Sequence, residues 1–246
     1  MKHSIIGDDM QALILDLDKG EQIFAEAGSM MYMKGSVEID AEMKGGFLGG
    51  VKRLLQRESL FLVRFDSTGD DAEVAFAPPY PGHIKHVEMN GNTLVCQKDA
   101  FICSVGNIES DITFVKRLGF GFFGGEGFIL QKITGKGDLF IHAGGNFVEK
   151  ELAENEEIKV DTGCIVAMDE SVDYDIKSVG NIKTSIFAGE GLFVAHLKGP
   201  GKVWLQTLPF SRMAEKIASA VGRSKGESRG AAGVGGEIFK SIVSGH

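Results

Sequence analysis

Three stretches of the chain can be laid over one another without a gap: residues 23–43, 94–114 and 158–178, related by shifts of 71 and then 64 positions. Apolar positions coincide, with Met30 over Phe101 and Ile165, Met31 over Ile102 and Val166, and Val37 over Ile108 and Val172. Acids coincide as well: Glu38 over Glu109 and Asp173, then Asp40 over Asp111 and Asp175. A second block follows in each stretch, Glu58-Ser59-Leu60-Phe61 over Glu126-Gly127-Phe128-Ile129 and Glu190-Gly191-Leu192-Phe193. From Asp40 to Glu58 is 18 positions, against 15 in the other two stretches, so a single three-residue loop change separates otherwise matching blocks. Internal repetition constrains a fold more tightly than composition does, because each copy must bury its apolar face against its neighbours.

The repeated unit reads as β. Residues 37–43 and 172–176 alternate apolar and polar, the period of a half-buried strand. Residues 60–65, 128–133 and 192–197 are more continuously apolar, as in strands covered on both faces. Asp18-Lys19-Gly20 and Asn90-Gly91 carry hairpin-turn chemistry. Helical periodicity before residue 210 is confined to a short turn at 51–57. At about five short strands, one copy cannot bury its apolar face alone, whereas three packed together can. The expected fold is therefore all-β, with three tandem β-sandwich-like repeats (about 1–82, 83–146 and 147–210) in a pseudo-threefold arrangement within one domain, 1–210. A short C-terminal helix begins the tail, 211–246. Ser211 is its expected N-cap, with Met213, Ile217 and Val221 on one face.

Composition fits this picture. The 246 residues include 34 Gly but only 5 Pro, which suits turns and bulges rather than linkers. The N-terminal ten residues lack a signal peptide's apolar run, and no stretch reaches the roughly 18 apolar residues of a membrane span. Cys96, Cys103 and Cys164 are odd in number and unpaired in spacing, so they read as small hydrophobes in a reducing cytoplasm. Net charge is −8, but residues 211–246 hold six Lys/Arg against three Asp/Glu, leaving the rest of the chain the more acidic. An acidic body disfavours nucleic acid as a partner.

The repeated acids are the first candidate site. Glu38 and Asp40, Glu109 and Asp111, and Asp173 and Asp175 are i, i+2 pairs, each on one strand face about 7 Å apart. Convergence of the three pairs would suit a hard cation or a basic partner; a solvated strand face accounts for the same alternation. Glu58, Glu126 and Glu190 stand at the entry to each inner strand, suited to accepting backbone N–H bonds in a tight turn. Gly119-x-Gly121-x-x-Gly124 has the letters of a dinucleotide fingerprint but precedes a strand, so it is not read as one. Phe47, Phe120, Phe122 and Phe123 read as core plugs or an oligomer interface. His83 and His86 form H-x-x-H; with His142 and His196 they make a weak metal set, because no third ligand is indicated. No catalytic residue and no cofactor is nominated.

The order Ala27-Gly28-Ser29-Met30, then Gly124-Gly125-Glu126-Gly127-Phe128, then Gly189-Glu190-Gly191-Leu192 resembles the altered-inheritance-of-mitochondria (mitochondrial biogenesis) family, over about residues 10–210. The resemblance implies a fold like the tryptophan-RNA-binding attenuation protein, with three such β modules in one chain, and no catalytic residues to carry over. The expected function is a non-enzymatic binding or assembly scaffold acting as a homo-oligomer. A protein partner or membrane surface could be met through residues 211–246. A nucleic-acid-binding regulator, by fold analogy, and a metal-dependent enzyme using the acidic pairs are the competing readings.

Overall fold

The computed structural model describes residues 1–26, 28–40, 62–111, 128–179 and 192–223. The turn expected at 51–57 lies outside them. The chain divides into two compact units, Met1–Pro209 and Phe210–His246.

Among its described residues the first unit is built of strands with two short 3-10 turns, Lys98–Ala100 and Thr162–Cys164, and every named ladder in it is antiparallel. In chain order these are β1 (Lys2–Ile6), β2 (Ala12–Leu17), β3 (Gln22–Glu26), β4 (Met30–Lys34), β5 (Val37–Asp40), β6 (Leu62–Ser67), β7 (Ala72–Phe76), β8 (Gly82–Gln97), β9 (Phe101–Asp111), β10 (Leu130–Gly144), β11 (Phe147–Leu152), β12 (Glu157–Asp161), β13 (Ile165–Asp169), β14 (Asp173–Val179), β15 (Leu192–Lys198) and β16 (Gly201–Gln206). They form sheets in the orders β1-β2-β7-β4, β11-β16-β13-β8-β10-β9-β3-β6-β5 and β12-β15-β14. Period-2 alternation drives them: in β2, Leu13, Leu15 and Leu17 are buried while Asp16 faces water. Three apolar clusters result, around Phe65 and Phe76, around Ile133 and Phe101, and around Phe128 and Leu197.

The ladders carry the shifts found in the sequence. Ile23 faces Phe65, Leu94 faces Ile133 and Ile158 faces Leu197. A one-residue bulge skips Met31 in the β4–β7 ladder, Ile102 in β9–β10 and Val166 in β13–β16, the same aligned position each time. An extra residue leaves the ladder at a bulge and bends the strand. Two further ladders match across the stretches. β3 pairs β9 with Ile23 opposite Val105, and β8 pairs β13 with Leu94 opposite Asp169.

The expected hairpins at Asp18-Lys19-Gly20 and Asn90-Gly91 are not hairpins. β2 pairs with β7 and β3 with β6, so the first turn carries the chain from one sheet to another. Asn90 and Gly91 lie inside β8, a 16-residue strand that bends without reversing. Turn residues supply a left-handed backbone, and whether the chain then reverses or turns a corner is decided by which strands are free to pair. Gly20 has φ +87°, Gly91 +93° and, at the third aligned position, Asn155 +64°. Asparagine is among the few non-glycine residues that enter this region at modest cost. The corner is stitched alike in the outer two stretches: the Glu21 N–H donates to the Asp18 carbonyl and the Asp18 N–H to the Glu21 carboxylate, as Glu156 and Ala153 do. Among the described residues the first stretch holds seven strands (β1–β7) and the third six (β11–β16) against the expected five, whereas the middle stretch spans the same course with three long ones, β8, β9 and β10.

In the second unit, α1 (Phe210–Arg223) starts one residue before Ser211, which therefore lies in the first turn and is not the cap. Pro209 precedes it, and proline's fixed φ of roughly −65° is compatible with immediate helix entry. Ile217, expected on the packed face, is 58% exposed. Among the described residues no helix is long and apolar enough to cross a membrane.

Candidate functional site

The acidic pairs lie on β5, β9 and β14, and the register shows what stands opposite them. Asp40 faces Arg64, Asp111 faces Lys132 and Asp175 faces His196. The repeated second acid thus has a basic residue at the opposite register position in all three places. The Arg64 guanidinium donates to Asp40 at 2.9 Å and to Asp66 at 2.8 Å. Lys132 reaches Glu170 at 2.6 Å and holds that carboxyl below the usual carboxylate range. The first acids face Asp66 (from Glu38), Thr134 (from Glu109) and Lys198 (from Asp173). Glu38, Asp40, Glu109, Asp173 and Asp175 are exposed. Opposite charges directly across a ladder stabilise it by roughly 0.2–1 kcal/mol per pair. Among the described residues no three His, Cys, Asp or Glu side chains gather in a metal-holding group.

The bases were as legible as the acids. Arg64, Lys132 and His196 recur at shifts of 68 and 64, the shifts of the Glu58, Glu126 and Glu190 block. They differ in kind, so matching by identity passes over them. Glu58, Glu126 and Glu190, the glycines at 119–124, and Phe47, Phe120, Phe122 and Phe123 lie outside the described residues.

The histidines separate. His83 and His86 are three apart on β8, which puts them on opposite strand faces. The His83 ring meets the Gly145 carbonyl through Nδ1 at 2.6 Å, whereas His86 Nε2 meets Asp138 at 2.6 Å and its ring lies on Phe140 and His3. His142 is 1% exposed, and neither ring nitrogen has a hydrogen-bond partner. Tyr80 packs edge-on against it, ring centroids 4.7 Å apart. Burial pushes its pKa down to about 4, with His83 adding to the effect, so the ring is neutral at pH 7. A side chain at Gly82 would strike His142 Nε2 and the Ala143 carbonyl, so backbone and ring are in close contact there. His196 lies on β15, facing Asp175.

Around this histidine the segments that precede the three aligned stretches meet. Parallel bridges join Met10 to Gly82 and Gly82 to Gly145, and the Gln11 side chain accepts from the Ile84 N–H. Gln206 closes the same region, accepting from the Gly144 N–H and donating to the Gly163 carbonyl. Between β3 and β9 a cavity lined by Phe24, Phe101 and Ser104 has about 10 Å³ of room, near the lower limit for one water. Cys96 and Cys103 are fully buried, which raises their thiol pKa values.

Known proteins place this geometry. The chain is 27% identical over 208 residues to the uncharacterized protein M6_Spy0233 of Streptococcus pyogenes serotype M6, covering 81% of this chain and 82% of that one. The crystal structure of protein SPYM3_0169 from Streptococcus pyogenes superposes with a TM-score of 0.74 at 24% identity, over 89% of this chain and 99% of that one, which establishes a shared fold. Residues 3–208 match the family described as mitochondrial biogenesis AIM24, and the chain belongs to that family.

Proposed function

We propose that this chain is a non-enzymatic assembly scaffold of the AIM24 family, acting as a homo-oligomer in the cytoplasm. Its β body consists of three tandem modules like that of the tryptophan-RNA-binding attenuation protein, set about a pseudo-threefold axis. The observation that carries the reading is the use of one junction twice. β3 lies along β9 and β8 lies along β13 in equivalent registers, so each module is joined to the next by the same edge-to-edge ladder. The threefold bulge and the near-equivalent bridges at Met10, Gly82 and Gly145 support the modular axis. The repeated acids Asp40, Asp111 and Asp175 each stand opposite a base in the register of a neighbouring strand. A fold that joins its own parts through strand edges has the chemistry to join other chains in the same way.

The test is the mass in solution. Size-exclusion chromatography with light scattering should return a multiple of 26.4 kDa for the full chain. A single-chain mass throughout a dilution series would overturn the reading.

A further inference from the structure

Two of the open sheet edges are of the kind the junctions use: β4, at the edge of the four-stranded sheet, and β12, at the edge of the three-stranded one, and among the described residues no ladder joins them. A pseudo-threefold closed on itself would pair them within the chain; among the described residues they stay unpaired, which leaves the third junction for another copy. β4 corresponds to the first half of β9 and to β13, each of which takes a strand from the preceding stretch; β12 corresponds to β3 and to the second half of β8, which are the strands supplied. The contrast in burial is large. Met31 is 48% exposed, against 2% for Ile102 and 0% for Val166 at the aligned positions. Met30, Tyr32 and Met33 are exposed too, giving an apolar strand of four consecutive large side chains ending in Lys34. An open, apolar strand edge is a template for another strand, and methionine adapts readily to a partner's surface.

We propose that β4 of one chain is completed by β12 of a second copy, so that chains join head to tail; this pairing rests on the assembly reading and supplies its interface. The existing junctions fix the register. Ile23–Val105, Phe24–Ser104 and Ala25–Cys103 match Leu94–Asp169, Val95–Met168 and Cys96–Ala167. Continued by the same shifts, they set Ile158 opposite Lys34, Lys159 opposite Met33 and Val160 opposite Tyr32. Charge agrees, since Lys34 is the only charge on β4, while β12 brings Glu157 and Asp161 against Lys159. Lys159 stands where Phe24 and Val95 stand in the built-in junctions. Lysine on an edge strand weakens pairing, so the contact between chains is reversible where those within the chain are permanent. The interface is heterologous, each chain offering one edge of each kind, and such contacts close into rings or extend as fibres.

Proline removes a ladder donor and blocks an edge. Met33→Pro closes β4 and leaves β12 open; Lys159→Pro does the reverse. With fold verified by circular dichroism and thermal unfolding, each variant alone should fall to the single-chain mass, and an equal mixture should form a two-chain complex and nothing larger. A second measurement does not depend on the proline variants folding. Met33→Cys with Lys159→Cys, in a Cys164→Ser background, should give a reducible series of covalent multimers on oxidation. If the wild type is a single chain at every concentration, both this proposal and the assembly reading fall. If the wild type assembles and the folded proline variants still assemble alone, the edge pairing falls and the assembly reading stands. A disulfide formed within one chain would overturn the proposal by assigning β4 to its own β12.

Discussion

Strand β4 and the first half of β9 hold the same place in their ladders and the same bulge, at Met31 and at Ile102. One is exposed and the other buried. Their own sheet partners, β7 and β10, are equivalent, so the difference comes from the far edge: β9 carries β3 there, and β4 carries nothing among the described residues. Burial in this fold is conferred by the neighbouring stretch as much as by a strand's own composition. A methionine-rich strand and one that begins Phe101-Ile102-Cys103 can be the same structural element before and after a neighbour arrives.

The largest test of that contrast is a pair of truncations. Ile102→Ala should cost about 2–5 kcal/mol of unfolding free energy, as large-to-small core changes do. Met31→Ala should stay within about 0.5 kcal/mol at concentrations where the chain is single. Denaturant titration measures both, and equal losses would break the comparison. Next comes acid. The folded pKa of His142 is about 4, against 6.5 ordinarily. On acidification the unfolded chain takes the proton first, so stability holds above about pH 6.5 and falls as pH drops towards 4, by on the order of 3 kcal/mol. His3, lowered by burial and then by His86, contributes with the same sign. His142→Leu should flatten that slope in chemical unfolding run at several pH values, and an unchanged slope would place the acid-sensitive group elsewhere. A smaller effect belongs to the corners: Asn155→Ala should lose about 1–2 kcal/mol by placing a Cβ-bearing residue without a helpful side chain at φ +64°. Asn155→Gly should hold or gain stability, since Gly20 and Gly91 already serve at that position. Last, Asp40→Asn should cost less than about 1 kcal/mol, and less again in high salt, because its pairing with Arg64 is at the surface.

The strand character was legible because apolar and charged positions recur together, and the ladders Ile23–Phe65, Leu94–Ile133 and Ile158–Leu197 follow the shifts read from the chain. What escaped reading was partnership. Asp18-Lys19-Gly20 has the same local chemistry in a hairpin as in a corner, and only the free strands β6 and β7 decide between them. The bases opposite the repeated acids escaped for a different reason: arginine, lysine and histidine share a charge preference and not a letter. H-x-x-H suggested a pair, but a strand's period of two sends His83 and His86 to opposite faces. The exposure of Met30–Met33 could not be read either, because an apolar strand looks the same whether or not a neighbour covers it.

Strand β8 has a consequence for the order in which the chain acquires its structure. It pairs with β10 over nearly its whole length, from Gly82 to Gln97, and near its end also with β13, while β9 alongside β10 takes β3. The middle stretch is therefore the one through which both outer stretches are registered. Folding should nucleate on the β8–β10 ladder, with substitutions at Leu94, Ile133 and Leu139 slowing refolding, and those at Leu15 or Leu197 acting chiefly on the unfolding rate. The long pairings must form before the ends have anything to lie against, which predicts slow, concentration-sensitive refolding in which a chain with an unfinished centre presents both its outer stretches to neighbours.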